Sequence, residues 1–346
     1  MKIRALTVFV AALAVVAAAL LWTDRNRQPQ ALDERVGQTP LPVDTARSAV
    51  AIVITPADAS SIRLEDRGDG VWILPDYHRL PADFGKVSRL VSNLTDARIE
   101  RFVSANPERT ERLGLGRHTI ELLGSNADQT LATLILGRRS ERGGGSYFRF
   151  EGEDRTYLLD RSLSPDREAA LWASKTPLPA GQETVRQVFY EFRDGTTFSA
   201  LRETPGDDFV SDPNDNTAGI QQEPFLAALG NLLTTRYNEV ALRDNSEAIE
   251  ASENIAGTAT ITLFDAGSIR ASWGRRPEQI LEKDEDSEGT DESEADETIP
   301  AGKPFLFLEF PEDSSSPWAE PSRGLAFQIA DFYFNRLPEN SSGWLE

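Results

Sequence analysis

Few side chains in this sequence could carry out chemistry. There are two histidines, His78 and His118, and no cysteine. Composition therefore excludes a thiol nucleophile, a disulfide, a cysteine-ligated zinc and a lipoprotein anchor. A serine hydrolase would need one of the histidines as its base, and the sequence has no G-x-S-x-G elbow. Neither histidine has a second one near it at metal-ligand spacing, so each reads as an exposed or packed imidazole. Gly143-Gly144-Gly145-Ser146 is only superficially a phosphate loop. No Lys-Ser/Thr follows it and it connects two expected strands, so it reads as a hairpin turn. Asp212, Asn214, Asn216 and Glu223 fall on positions 1, 3, 5 and 12 of a calcium loop. Thr217 stands where that loop needs glycine and a strand precedes it, so an Asx-rich turn into a helix is the expectation. The pairs Arg138-Arg139 and Arg275-Arg276 end equivalent apolar runs. They suit either an anionic head group or carboxylate, or plain solvation at strand ends. Acidic pairs are too numerous to single one out as general acid and base. Sequence thus assigns no catalytic, cofactor-binding or metal residue, and no cofactor is expected.

These residues must be positioned by the elements around them, and the chain is long enough for two domains at 346 residues. The segment Val87–Arg98 matches Phe225–Arg236 at a constant offset, with Asn93, Leu94 and Arg98 opposite Asn231, Leu232 and Arg236. Apolar residues recur at helical spacing in both: Val87, Leu90, Val91 and Leu94, then Phe225, Leu229 and Leu232. An arginine at each end suits the helix dipole. Thr119–Leu123 then matches Thr260–Phe264, and each leads to a run ending Gly-Arg-Arg. Tyr147–Phe150 with Tyr157–Asp160 corresponds to Phe305–Phe310 with Ala326–Asp331. Strands are expected before each helix, at 61–64 and 71–74, and at 185–192, 197–202 and 209–210. The fold class is α+β: two tandem related units, each an antiparallel sheet with one main packed helix. The first unit is placed at 49–175 and the second at 176–346. Trp72, Trp172, Trp273, Phe305 and Phe307 fall on strand-like patterns and are expected in the core.

Net charge is −20, which argues against a nucleic-acid partner, since nothing basic is left over to replace phosphate counterions. Residues 176–346 hold 12 basic and 33 acidic side chains, and ten of those acids lie between Glu282 and Glu297 beside Lys283 alone. A disordered acidic insertion is expected at about 277–303. It reads as a solvated loop, with a calcium sponge or a docking tail for a basic partner as the alternatives.

Ala5 to Trp22 is an uncharged run of 18 residues after Lys2 and Arg4. As a helix it would extend about 27 Å, enough for a bilayer core. The flanking cations favour a cytoplasmic start at 1–4, a transmembrane anchor at 5–22 and an exported body. A cleaved signal peptide is the rival reading, since Ala17-Ala18-Ala19 offers small residues. Against it, the apolar run continues to Trp22, an interfacial residue type. Residues 23–48, with Pro29, Pro40 and Pro42, are expected to be a linker lifting the body off the bilayer.

The order SSIRLED, GVWIL, LPADFGKVSRLVSNL, ERFV, LGL, TIELL, LILGRR, SYFRFEGEDRTYLLD and Leu171-Trp172 resembles the bacterial family called domain of unknown function 4340. The likeness covers about Val50 to Trp172, more loosely a second stretch from about Thr184, and leaves out the acidic insertion. The resemblance implies one N-terminal span in the inner membrane and an extracytoplasmic α+β body in the periplasm. It also implies partners among ABC transporter permeases and auxiliary membrane proteins of the gliding-motility type. It brings no catalytic residues. The expected function is a non-enzymatic accessory or binding protein at the membrane. A structural envelope assembly module and a carboxylate-based envelope hydrolase are the alternatives.

Overall fold

A computed structural model of the chain describes residues 33–125, 129–141, 143–211, 219–265, 267–281 and 297–345. Strands β1 (Ala51–Pro56), β2 (Ile62–Asp66), β3 (Trp72–Leu74), β4 (Leu80–Pro81), β5 (Ile99–Ser104), β6 (His118–Leu123), β7 (Thr130–Arg139), β8 (Ser146–Phe150) and β9 (Thr156–Leu159) form one sheet. Its order is β4-β3-β2-β1-β6-β7-β8-β9-β5. Then follow β10 (Val185–Phe192), β11 (Thr197–Leu201), β12 (Val210–Ser211), β13 (Tyr237–Leu242), β14 (Ile255–Leu263), β15 (Ser268–Gly274), β16 (Gln279–Leu281), β17 (Glu297–Ile299), β18 (Phe305–Glu309) and β19 (Leu325–Ile329). Eight of these form a second sheet, β12-β11-β10-β14-β15-β18-β19-β13, while β16 and β17 pair as a separate ribbon. The strand pairs are antiparallel, and the fold is a mixed α+β one with few helices.

The chain divides into two compact units, Met1–Ser61 with Ser88–Arg167, and Ile62–Val87 with Glu168–Glu346. Backbone pairing explains the grouping of 62–87 with the segment after 167. Ala82 bridges Ala173, the Asp83 amide donates to the Trp172 carbonyl, and the Ser174 amide donates to that of Pro81.

Eight α-helices lie among the described residues: α1 (Val43–Arg47), α2 (Phe84–Asp96), α3 (Pro107–Glu111), α4 (Ala169–Trp172), α5 (Gln222–Leu233), α6 (Ser246–Glu253), α7 (Ala319–Gly324) and α8 (Asp331–Phe334). Helix α2 buries Val87, Leu90 and Leu94, the apolar stripe that its spacing predicts. Asp83 caps its start by accepting from the Lys86 amide at 3.1 Å. The arginines expected to serve the helix ends lie beyond them. Arg98 follows α2 and donates its amide to Asp160 Oδ1, 2.9 Å away, and Arg236 follows α5, which ends at Leu233.

Helix α5 places Phe225 in an aromatic core, 5.6 Å from Trp344 and 5.1 Å from Phe209, with Phe198 4.9 Å from the same tryptophan. In the first unit Phe148 and Tyr157 meet at 5.6 Å, and Ile54, Ile120, Leu134 and Leu136 are buried. Of the aromatics expected in the core, Trp172, Trp273, Phe305 and Phe307 are buried. Trp72 is only half-buried, because β3 is a three-residue strand near a sheet edge.

The expected linker 23–48 is corrected from residue 33 on. Leu41 is fully buried, the Gly37 amide donates to the Ile99 carbonyl, and the Ile99 amide donates to that of Gln38. Arg35 pairs with Glu153 at 2.6 Å and lies 4.3 Å over the Phe150 ring. This stretch is packed onto the first unit. Residues 1–32, with the expected anchor, lie outside the described residues. No helix among the described residues is long and apolar enough to cross a membrane.

The acidic insertion is also corrected at its flanks. Strand β16 pairs with β17 in register from Gln279↔Ile299 to Leu281↔Glu297. Arg276 closes the base, donating to the Pro300 carbonyl at 3.0 Å and, through its carbonyl, accepting from the Gly302 amide. Residues 282–296 lie outside the described residues.

Candidate functional site

Both units contain a cleft, and each cleft is built from corresponding strand ends. In the first it lies at the end of β1 (Ala57, Asp58), the start of β6 (Arg117, His118), the end of β7 (Gly137, Arg139), the start of β8 (Ser146) and the stretch after β9 (Ser162–Ser164, Arg167), and holds about 560 Å³. In the second it lies after β10 (Arg193, Asp194), at β14 (Asn254, Ala256), after β15 (Arg275, Pro277, Glu278), before β18 (Ala301) and after β19 (Phe334, Glu339), and holds about 530 Å³.

The glycine of each Gly-Arg-Arg run sits where a neighbouring backbone crosses the strand. A Cβ on Gly137 would stand 2.7 Å from the Leu113 carbonyl oxygen, and one on Gly274 2.4 Å from that of Ala251. The crossing segments start alike. Asn106 caps α3 by accepting from the Glu108 amide, and Asn245 caps α6 by accepting from the Glu247 amide. The backbone crossing holds the strand end in place and aims the following arginines to either side.

In the first cleft His118 is 8% exposed, and its Nε2 has no hydrogen-bond partner among the described residues. Burial, then the neighbouring Arg117, holds its pKa below the ordinary histidine value, so the ring is neutral near neutral pH. Arg139 donates to the Gly144 carbonyl at 3.1 Å, and Arg167 pairs with Asp58. The Ser146 hydroxyl is committed to the fold, accepting from the Leu163 amide at 2.9 Å. Three arginines against one aspartate leave this lining cationic. Arg138, the other half of the pair, pairs with Glu141 at 2.9 Å.

The second cleft has a different balance, with Arg193 and Arg275 facing Asp194, Glu278 and Glu339. Arg275 is engaged, 3.0 Å from Asp331 and stacked 4.7 Å over Phe334. Asp194 accepts from the Thr196 hydroxyl and amide, which hold its pKa below the usual carboxylate range. Arg276 pairs with Glu250 at 3.1 Å. The two arginine pairs flagged by sequence therefore divide: Arg139 and Arg275 line clefts, while Arg138 and Arg276 make ion pairs outside them.

The remaining sequence candidates fall elsewhere. His78 is exposed in the loop before β4, at φ 54°, with its ring 5.2 Å from Tyr77, and it lines neither cleft. Gly143 to Gly145 turn from β7 into β8, with Gly143 at φ 102°, as a hairpin turn requires. Residues 212–218 of the calcium-like pattern lie outside the described residues, and Glu223 falls in the first turn of α5. No metal-holding group of three or more His, Asp or Glu occurs among the described residues. Sequence reasoning misses Asp58, Arg117 and Arg167. Their only signal is position at strand ends that the sheet order brings together.

The fold and its clefts define an antiparallel α+β protein with polar strand-end sites. The family described as Domain of unknown function (DUF4340) matches residues 72–253, more than half of the chain, and the chain belongs to that family. The matched stretch begins at β3 and ends at the close of α6. It covers most of the expected likeness from about Val50 to Trp172 and runs on into the looser second stretch from about Thr184. No curated protein and no solved structure matches the chain.

Proposed function

We propose that this chain is a non-enzymatic, membrane-anchored accessory protein whose extracytoplasmic body binds its ligand in strand-end clefts, in association with an ABC transporter in the inner membrane. The observation that carries the reading is the paired placement of the clefts. They occur at corresponding strand ends in sheets that run β1-β6-β7-β8-β9-β5 and β10-β14-β15-β18-β19-β13. The two bodies are two tandem copies of one binding unit, in which the first has a cationic cleft and the second pairs its cleft arginine, Arg275, with Asp331. Anchoring is supported by the uncharged run from Ala5 to Trp22, and the transporter partner by the resemblance of the sequence to a family often encoded beside such transporters.

Anchoring is tested by alkaline extraction of native membranes and by protease treatment of spheroplasts. The reading predicts a chain that stays with the membrane and is cut from the periplasmic side. Release by alkali, or protection in spheroplasts with digestion after lysis, would contradict it.

A further inference from the structure

We propose that the cleft of the first unit is a binding site for a phosphate monoester group, gripped by Arg117, Arg139, Arg167 and the Nε2 of His118. This deepens the reading of that cleft as a ligand site and rests on it.

Three observations carry it. The chain has a net charge of −20, yet this lining is cationic. The arginines are not neutralised by their surroundings: Arg139 bonds a backbone carbonyl, only Arg167 has a carboxylate, and Arg117 has no side-chain partner among the described residues. Two uncompensated guanidinium charges match a dianion. Finally, His118 lines the cleft, is more than nine-tenths buried, and has a buried Nε2 without a partner among the described residues. A buried polar nitrogen without a bond is costly unless a ligand completes it. Three planar donor forks and an imidazole exceed what the two oxygens of a carboxylate accept, whereas a phosphate monoester offers three terminal oxygens. The volume of about 560 Å³ also leaves room for the group that the phosphate esterifies.

The two histidines provide the assay. Full-length chain carrying labelled histidine, in a neutral detergent, is titrated with inorganic phosphate, glycerol 3-phosphate and short-chain phosphatidic acid, with acetate at matched ionic strength as control. The imidazole signals of His118 are expected to move saturably while those of exposed His78 stay fixed. R117Q and R139Q are expected to weaken the response at least tenfold each while leaving the urea midpoint of the free chain unchanged. A tighter response to phosphatidic acid than to glycerol 3-phosphate identifies a lipid head group as the source, and equal responses identify a soluble ester. No saturable shift with any phosphate, or an equal shift with acetate, overturns the proposal. Either failure leaves the extraction and protease results standing, so the two readings fail separately.

Discussion

At the scale of single residues, packing constraints explain what the sequence only flags. A Cβ at Gly274 would also stand 2.6 Å from the Asn254 carbonyl oxygen, and these contacts are backbone that cannot step aside. Gly274→Ala is expected to destabilise the fold by about 1–3 kcal/mol, read as a lower urea midpoint at unchanged slope. Tyr190 is fully buried, its hydroxyl has no partner among the described residues, and burial pushes its pKa far up. Removing that hydroxyl removes an uncompensated desolvation cost, so Tyr190→Phe should leave stability unchanged or raise it by about 1 kcal/mol. A fall of more than that would reveal a bond the hydroxyl makes. His118 sets a pH dependence. With its folded pKa lowered, the native state refuses a proton that the unfolded chain accepts below about 6.5. Its stabilising contribution is full above that value and is lost as pH falls through the lowered native one. Denaturation of His118→Asn across this window should show a shallower acid slope than the parent, and an equal slope would remove His118 as a cause. The charged groups sharing its cleft are Arg117, Arg139, Arg167 and Asp58.

Among elements, legibility follows periodicity. The stripe of Val87, Leu90 and Leu94 and the alternation of β10 are local patterns with a local cause, so helix and strand can be read from the amino acids alone. Strands β5 and β13 escape such a reading. They are edge strands placed by partners far along the chain, β9 and β19, and Ile99–Ser104 alone has no strict alternation. The stretch after Asp33 misleads for a related reason. Its prolines and polar residues suggest a tether, and only the tertiary contacts of Leu41, Arg35 and Asp33 reveal that it is docked. Asp33 meets Arg155 at 3.1 Å and the Tyr157 hydroxyl at 3.2 Å. Leu41→Ala is therefore expected to cost about 2–5 kcal/mol in chemical denaturation, whereas a free tether would show no change.

For the molecule as a whole, composition excludes thiol chemistry and assigns none in its place. The antiparallel α+β class is legible because it follows from strands around a few amphipathic helices. The clefts are not, because they are made where the ends of some strands meet the starts of others, as β1 and β7 meet β6, and sheet order is a global property. Sequence locates the Gly-Arg-Arg runs that border both clefts without showing that one arginine of each pair faces inward. The central claim, an anchored binding body attached to a transporter, is tested most directly by affinity capture of the full-length chain from detergent-solubilised native membranes, read by mass spectrometry. A chain lacking residues 1–32, exported separately, serves as the comparison. The account predicts co-recovery of permease and ATPase subunits with the full-length chain. Recovery of this chain alone from both preparations would contradict it.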